Sequence, residues 1–243
     1  MPAWKELRPM AIDELIERDW ILLPGTLCTE DVFTPMLEAI GVPLHQRHAI
    51  RLDRPTIEDY AEVCTRSEGA VVCGFSLGAI VAAHLADRLK AARIILFGVN
   101  PLADDPAKAE GRRALAWDVI MKGGGAALDA RLPPLNGARP DVARAKVLGM
   151  AERAAADCDA QTALALSRPG ALGVLAKTEC PVLVLTGTDD TMAPPELGRQ
   201  AADAAPRGQF FPLTRLGHYA LLESPAACAV ALHNMEARLE RAA

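Results

Sequence analysis

Gly69-Ala70-Val71-Val72-Cys73-Gly74-Phe75-Ser76-Leu77-Gly78 runs from an apolar, strand-like stretch into a helix-like run that continues to Leu89, with a serine at the join. A strand that turns directly into a helix needs a sharp, strained corner, at which the two elements nearly collide. Only hydrogen fits as a side chain two residues before and two after such a corner, and Gly74 and Gly78 stand at those positions. At a helix start the serine oxygen also lies near unpaired N–H groups and the positive end of the helix dipole, where developing negative charge is stabilised. The stretch therefore points to a strand–nucleophile–helix unit.

Working outward, short β-type runs alternate with longer helical ones. Strands are expected at Trp20–Leu23, His48–Leu52, Ala70–Cys73, Arg93–Phe97, Val182–Leu185 and Gln209–Pro212. Helices are expected at Ile12–Arg18, Val32–Ala39, Ile57–Ser67, Leu77–Leu89, Pro195–Ala204 and Pro225–Arg241. Such alternation implies an α/β fold, a mostly parallel sheet of about six strands covered by helices on both faces. Between Asn100 and Lys177 the pattern becomes alanine-rich, charge-interspersed helix, broken at Gly123-Gly124-Gly125 and Leu132-Pro133-Pro134. We read residues 100–176 as a helical cap inserted into a core made of residues 1–99 and 177–243; ordinary crossover helices are the alternative. The glycine triplet reads as a flexible joint.

A serine hydroxyl is a poor nucleophile at neutral pH. It needs an imidazole to take its proton and a carboxylate to orient and charge-stabilise that imidazole. Downstream of Ser76 both are available. Val182-Leu183-Val184-Leu185 leads into Gly187-Thr188-Asp189-Asp190-Thr191-Met192-Ala193-Pro194, a turn-rich segment at a strand's carboxyl end, and Leu216-Gly217-His218-Tyr219 follows the last strand.

Four segments, Leu22-Leu23-Pro24-Gly25-Thr26, the Gly74–Gly78 corner, the Gly187–Pro194 turn, and Gly217-His218 with Glu223-Ser224-Pro225, together resemble the α/β-hydrolase superfamily, in the order that family uses. The resemblance implies that Ser76 is the nucleophile, His218 the general base and Asp190, three after Gly187, the acid, with Asp189 its rival. It also implies an oxyanion hole built from the backbone N–H groups of Leu77 and Thr26. Pro24 stands where the family usually has histidine, and Leu27 is the fallback for Thr26. The family's amino-terminal hairpin is expected to be absent here, with Trp4 and Leu7 covering the exposed edge. The segment from Cys158 through Pro169 is similar to small-capped bacterial esterase-like members.

The remaining properties narrow the partners. A chain of 243 residues with a net charge of −5 and interspersed charges carries no basic footprint for nucleic acid and no polybasic membrane patch. No apolar run reaches the roughly 20 residues of a membrane span, so a cytoplasmic protein acting on a small molecule is expected. Its oligomeric state is open. Six scattered cysteines lack metal-ligand spacing, and neither metal nor cofactor is expected. Trp117 and Met121, four apart, share a helix face that either lines an acyl pocket or packs the cap. Arg168 is read as an ion-pairing residue, with a substrate carboxylate as the other possible partner. Glu223 is read as a loop tether.

The expected activity is hydrolysis of a small carboxylic ester through a covalent acyl-enzyme. A thioesterase, lactonase or carbon–carbon bond hydrolase would use the same residues. A ligand-binding protein that keeps the fold with little turnover is the alternative of another class.

Overall fold

The computed structural model describes residues 12–242. Its strands are β1 (Trp20–Leu23), β2 (Arg47–Ala49), β3 (Val71–Phe75), β4 (Arg93–Phe97), β5 (Val182–Gly187) and β6 (Gly208–Leu213). They form one sheet in the order β2-β1-β3-β4-β5-β6, every neighbouring pair parallel. The α-helices are α1 (Ile12–Ile16), α2 (Thr34–Ile40), α3 (Glu62–Arg66), α4 (Leu77–Leu85), α5 (Ala109–Lys122), α6 (Gly124–Asp129), α7 (Pro140–Arg153), α8 (Cys158–Ser167), α9 (Leu172–Leu175), α10 (Pro195–Ala204), α11 (Ala220–Glu223) and α12 (Pro225–Ala242).

Why the central strands read as continuous apolar runs is visible in their packing. β1, β3, β4 and β5 are buried along their whole lengths, and successive side chains enter opposite layers with the period of two that a strand imposes. Trp20, Leu22, Val71, Cys73, Phe75, Ile95, Phe97, Leu183 and Leu185 join the layer that includes α2 and α12. Ile21, Leu23, Val72, Ile94, Leu96, Val182 and Val184 join the layer that includes α4, α9 and α10. β2 and β6, at the edges, are only partly covered.

All six expected strands form, with small changes of boundary. The ladder of β2 ends at Ala49, although Ile50 donates one more bond to Leu22 O at 2.9 Å and Ile50 and Leu52 remain in the core. The expected helix at Ile57–Ser67 divides into a 3₁₀ turn, Ile57–Tyr60, and α3, the turn being opened by a capping box between Thr56 and Asp59. Helix α4 stops at Leu85 rather than Leu89. The amino-terminal edge cover by Trp4 and Leu7 lies outside the described residues.

Between β4 and β5 the chain holds five α-helices, α5 to α9, and no strand among the described residues; α9 packs under the sheet with α4 and α10, and the helices before it form the helical cap of the fold. The glycine triplet inside it is a close-packing device and not the flexible joint that the sequence suggested. A Cβ on Gly124 would sit 1.9 Å from Ala151 O, so the missing side chain is what lets α6 lie against α7. Gly125 N–H also donates to Glu152 Oε2 at 3.0 Å. Trp117 and Met121 fill neither role proposed for them, because both project to solvent, 63% and 61% exposed.

A buried ion pair fastens α12 to the sheet. Arg93 Nε and Nη2 donate to the Glu236 carboxylate at 2.8 Å, and both residues are almost wholly removed from solvent. Removing one partner of such a pair leaves an uncompensated buried charge, whereas removing both leaves none. Glu236→Ala is therefore expected to lose about 3–5 kcal/mol of stability, and the double variant Arg93→Met/Glu236→Leu to recover most of that loss, as read from urea denaturation midpoints.

Candidate active site

After β1 the chain pairs β2 on one side and then returns to place β3 on the other. The reversal leaves a crevice at the carboxyl ends of β1 and β3, where open parallel sheets bind ligands. Ser76 follows β3 at this point, and Pro24-Gly25-Thr26 follows β1, with Leu23 opposite Gly74 in the ladder.

Ser76 adopts φ 51° and ψ −115°, a conformation that costs a non-glycine residue on the order of 1–3 kcal/mol. Its surroundings hold it there. Ser76 N–H donates to Phe97 O at 2.9 Å, and its carbonyl accepts from Ile80 N–H at 3.0 Å to open α4. A Cβ on Gly78 would lie 1.9 Å from Leu23 O, and one on Gly74 would lie 2.6 Å from the Ala79 Cα. The two glycines of the sequence motif thus allow α4 to rest on β1 and β3, and that contact fixes the corner.

Ser76 Oγ lies 3.0 Å from His218 Nε2, and His218 Nδ1 lies 2.8 Å from Asp190 Oδ2. The other carboxylate oxygen of Asp190 accepts from Met192 N–H at 2.9 Å and Ala193 N–H at 2.8 Å, so the carboxylate is held at both ends. Asp190 and His218 are buried. The imidazole is packed by Phe75, at 5.1 Å between ring centroids, and edge-on by Tyr219, at 5.5 Å. Burial raises the Tyr219 phenol well above its ordinary pKa, which keeps it un-ionised beside the histidine. Gly98 forms the floor: a Cβ there would approach His218 Cε1 to 3.1 Å and Asp190 Oδ2 to 3.3 Å.

Asp189, the rival acid, is turned away from the imidazole. Its side chain is exposed and accepts from Asn136 Nδ2 at 3.1 Å. Leu27, the fallback for the loop after β1, has its N–H donated to Gln161 Oε1 at 2.9 Å and is not free to bind a substrate. Thr26 lines the same cavity as Ser76 and Leu77. A Cβ on the adjacent Gly25 would touch the Ser76 Cβ at 3.0 Å, which shows how closely that loop approaches the serine.

The cap supplies one contact that sequence reasoning did not find. Gln161, buried on α8, fixes the loop after β1. Glu223 accepts from Gly217 N–H at 2.7 Å and from Asn136 N–H at 3.2 Å, and so ties the histidine loop to the cap; the tethering role expected of it is seen. Arg168 pairs with Asp104, Nη1 to Oδ1 at 2.9 Å, and also lines the cavity above Ser76. That cavity has a volume of about 330 Å³, at the small end for ligand sites. Lys108, just before α5, and Gly111, Arg112 and Leu115 within it face the cavity, a stripe at helical spacing on the face opposite Trp117 and Met121.

The cysteines do not compete as nucleophiles. Five of the six, all but Cys64, are buried, and burial pushes the Cys28 thiol up to about 12 and raises Cys73 and Cys228 further. Thiolate, the reactive form, is therefore scarce at neutral pH.

Comparison with known proteins agrees with this architecture. Residues 17–231 match the alpha/beta hydrolase family, and the chain belongs to that family. Among solved structures, a thermophilic esterase from Thermogutta terrifontis superposes with a TM-score of 0.76 at 24% identity, covering 92% of this chain and 90% of the other. The enol-lactonase from Burkholderia xenovorans LB400 superposes with a TM-score of 0.72 at 21% identity, covering 90% and 91%. BpoC of Mycobacterium tuberculosis, named a candidate non-heme bromoperoxidase, is 42% identical over 52 residues; that match spans 21% of this chain and only 20% of BpoC. Among the described residues no helix is long and apolar enough to cross a membrane.

Glu223 gives the site a titration signature. Desolvation raises its pKa, against the lowering effect of the amide donors. The folded protein then holds this proton more tightly than the unfolded chain. The associated stability is present at low pH and is lost as pH rises from the ordinary carboxylate value through the raised one. The stability difference between wild type and Glu223→Gln is expected to fall across that window and to level off above it, as followed by urea denaturation at stepped pH. Glu223→Ala, which leaves a buried and a half-buried N–H group unpaired, is expected to cost about 2–4 kcal/mol.

Proposed function

We propose that this member of the α/β-hydrolase family is a serine hydrolase that cleaves a small carboxylic ester through a covalent acyl-enzyme. The observation that carries the reading is the continuous chain from Ser76 Oγ to His218 Nε2 at 3.0 Å and from His218 Nδ1 to Asp190 Oδ2 at 2.8 Å. Its serine is held in a strained corner at a helix start and faces a cavity.

In this reading His218 takes the Ser76 proton as the oxygen attacks the ester carbonyl. The tetrahedral oxyanion is held by the N–H groups of Leu77 and Thr26, which act where charge develops. His218 then gives the proton to the leaving alcohol. Water enters, loses a proton to His218 and attacks the acyl group, and the acid departs as the proton returns to Ser76 Oγ. Asp190 keeps the imidazole in the tautomer that presents Nε2 to the serine and stabilises its charged form. The amide donors from Met192 and Ala193 keep the carboxylate from turning away.

Thioesters and lactones present the same kind of carbonyl and would follow the same steps. Which of them is preferred depends on the cavity and not on the three reacting side chains.

Ser76→Ala is expected to abolish turnover of short-chain esters and labelling by a fluorophosphonate, which adds to Ser76 in the wild type by mass spectrometry. Asp190→Asn is expected to lower kcat by roughly 10⁴-fold. Asp189→Asn is expected to stay within about threefold of wild type, as a surface change does. Turnover and labelling that survive Ser76→Ala would overturn the mechanism, and equal losses in the two aspartate variants would overturn the choice of acid.

A further inference from the structure

The wall of the cavity that Ser76 faces carries more positive charge than its ion pairs neutralise. Lys108, Arg112, Arg131 and Arg168 line it, and no aspartate or glutamate does so among the described residues. Arg131 is paired with Asp118, whereas Arg112 and Arg168 both rely on one carboxylate, that of Asp104. Arg112 Nε reaches both oxygens of Asp104 at 3.1 Å, and its Nη2 reaches Oδ1 at 2.6 Å. Arg168 Nη1 reaches the same Oδ1 at 2.9 Å. Two guanidiniums on one acid leave a full positive charge over, and one of the two, Arg168, is only 4% exposed.

Structural fastening does not account for this arrangement. Arg168 does tie the cap together, through Ala165 O at 2.8 Å and Leu102 O at 3.4 Å, but one arginine suffices to satisfy Asp104. A second cation brought beside the first repels it, and Arg112 is indeed among the influences that lower the Arg168 pKa, after burial itself. Uncompensated charge is costly at a residue as deeply buried as Arg168. An anionic ligand group would remove that cost, and the planar forks of arginine suit a carboxylate. The cluster faces the same space as Ser76 Oγ, so the anion and the reacting carbonyl would belong to one molecule.

We propose that the substrate carries a carboxylate in addition to the ester that Ser76 attacks, and that Arg112 and Arg168 bind it. This rests on the serine hydrolase reading for the attacked carbonyl and adds the class of substrate. Lys108, which also lines the cavity, supplies further positive potential. A cavity of about 330 Å³ limits the molecule to a short half-ester of a dicarboxylic acid or a short ester of a hydroxy acid.

Two matched pairs of esters separate these cases: monomethyl glutarate against methyl pentanoate, with the charge on the acyl side, and acetoxyacetate against ethyl acetate, with the charge on the alcohol side. The wild type is expected to prefer the anionic member of at least one pair by about tenfold or more in kcat/KM, the size of one charge-assisted hydrogen bond. Arg112→Gln and Arg168→Gln are each expected to reduce that ratio about tenfold. Each leaves Asp104 with its other arginine, so neither creates an unpaired acid. A merely structural arginine would lower both members of a pair alike and leave the ratio where it was.

Calorimetric titration with glutarate, and with glutaramide as the neutral control, reads the same subsite without turnover. Glutarate binding that weakens in both variants, with no binding of glutaramide, upholds the proposal even if no ester is cleaved, in which case the hydrolase reading alone falls. No anionic preference in either ester pair, together with glutarate titrations unchanged between wild type and variants, overturns the proposal and leaves acylation of Ser76 standing.

Discussion

The contact between the first turn of α4 and the end of β1 governs the rest of the site. Leu23 O would lie 1.9 Å from any side-chain carbon on Gly78, so the helix rests directly on the strand's backbone. A helix so close cannot follow β3 through a relaxed turn, and Ser76 absorbs the difference with its φ of 51°. The same approach brings Gly25 and Thr26, which continue β1, against the serine. Ser76 and the neighbouring backbone of the loop after β1 are thus positioned by one steric fact, and no side-chain hydrogen bond is needed to set their spacing. The strain is held by packing on a strand buried on both faces, the part of the molecule least able to relax.

Around that rigid centre the loops are held from above. Gln161 takes the Leu27 N–H, Glu223 takes the N–H groups of Gly217 and Asn136, and Asn136 reaches Asp189. Each tether joins the cap, or a loop beside it, to a turn that follows a strand. Displacing the cap would leave buried amides without partners, at about 1–3 kcal/mol each. The cap therefore acts as part of the wall of the cavity and stiffens the loops that carry His218 and Asp190.

The fold and the strand–serine–helix corner were legible because local rules dictate them, and the segments that carry Asp190 and His218 were picked out by their resemblance to a family and their order. Central strands between two layers must be apolar at every position, which made β1, β3, β4 and β5 readable. A residue at such a steric corner must be flanked by glycine, which marked Ser76. Glu223 was readable as a tether, but the one through Gln161 was not, since Gln161 meets Leu27 across 134 residues and nothing around Gln161 announces a partner. The orientation of α5 was misread for a related reason. Trp117 and Met121 look like pocket residues by hydrophobicity, but the cap turns Arg112 and Leu115 inward in their place, and helical spacing alone fixes which residues share a face, not which face is covered. The glycine triplet at Gly123-Gly124-Gly125 looked like slack chain because close helix contact and flexibility ask for the same residue.

The buried thiols make the molecule a recorder of its own openings. Cys73 sits in a central strand, Cys228 on α12 and Cys158 at the start of a cap helix, and all three are shielded from solvent. A thiol reagent can reach them only when the surrounding layer parts, and the reactive thiolate is scarce until it does. The order in which these cysteines become modified would then trace which layer breathes first, the cap, the outer helix or the sheet, without any label introduced from outside.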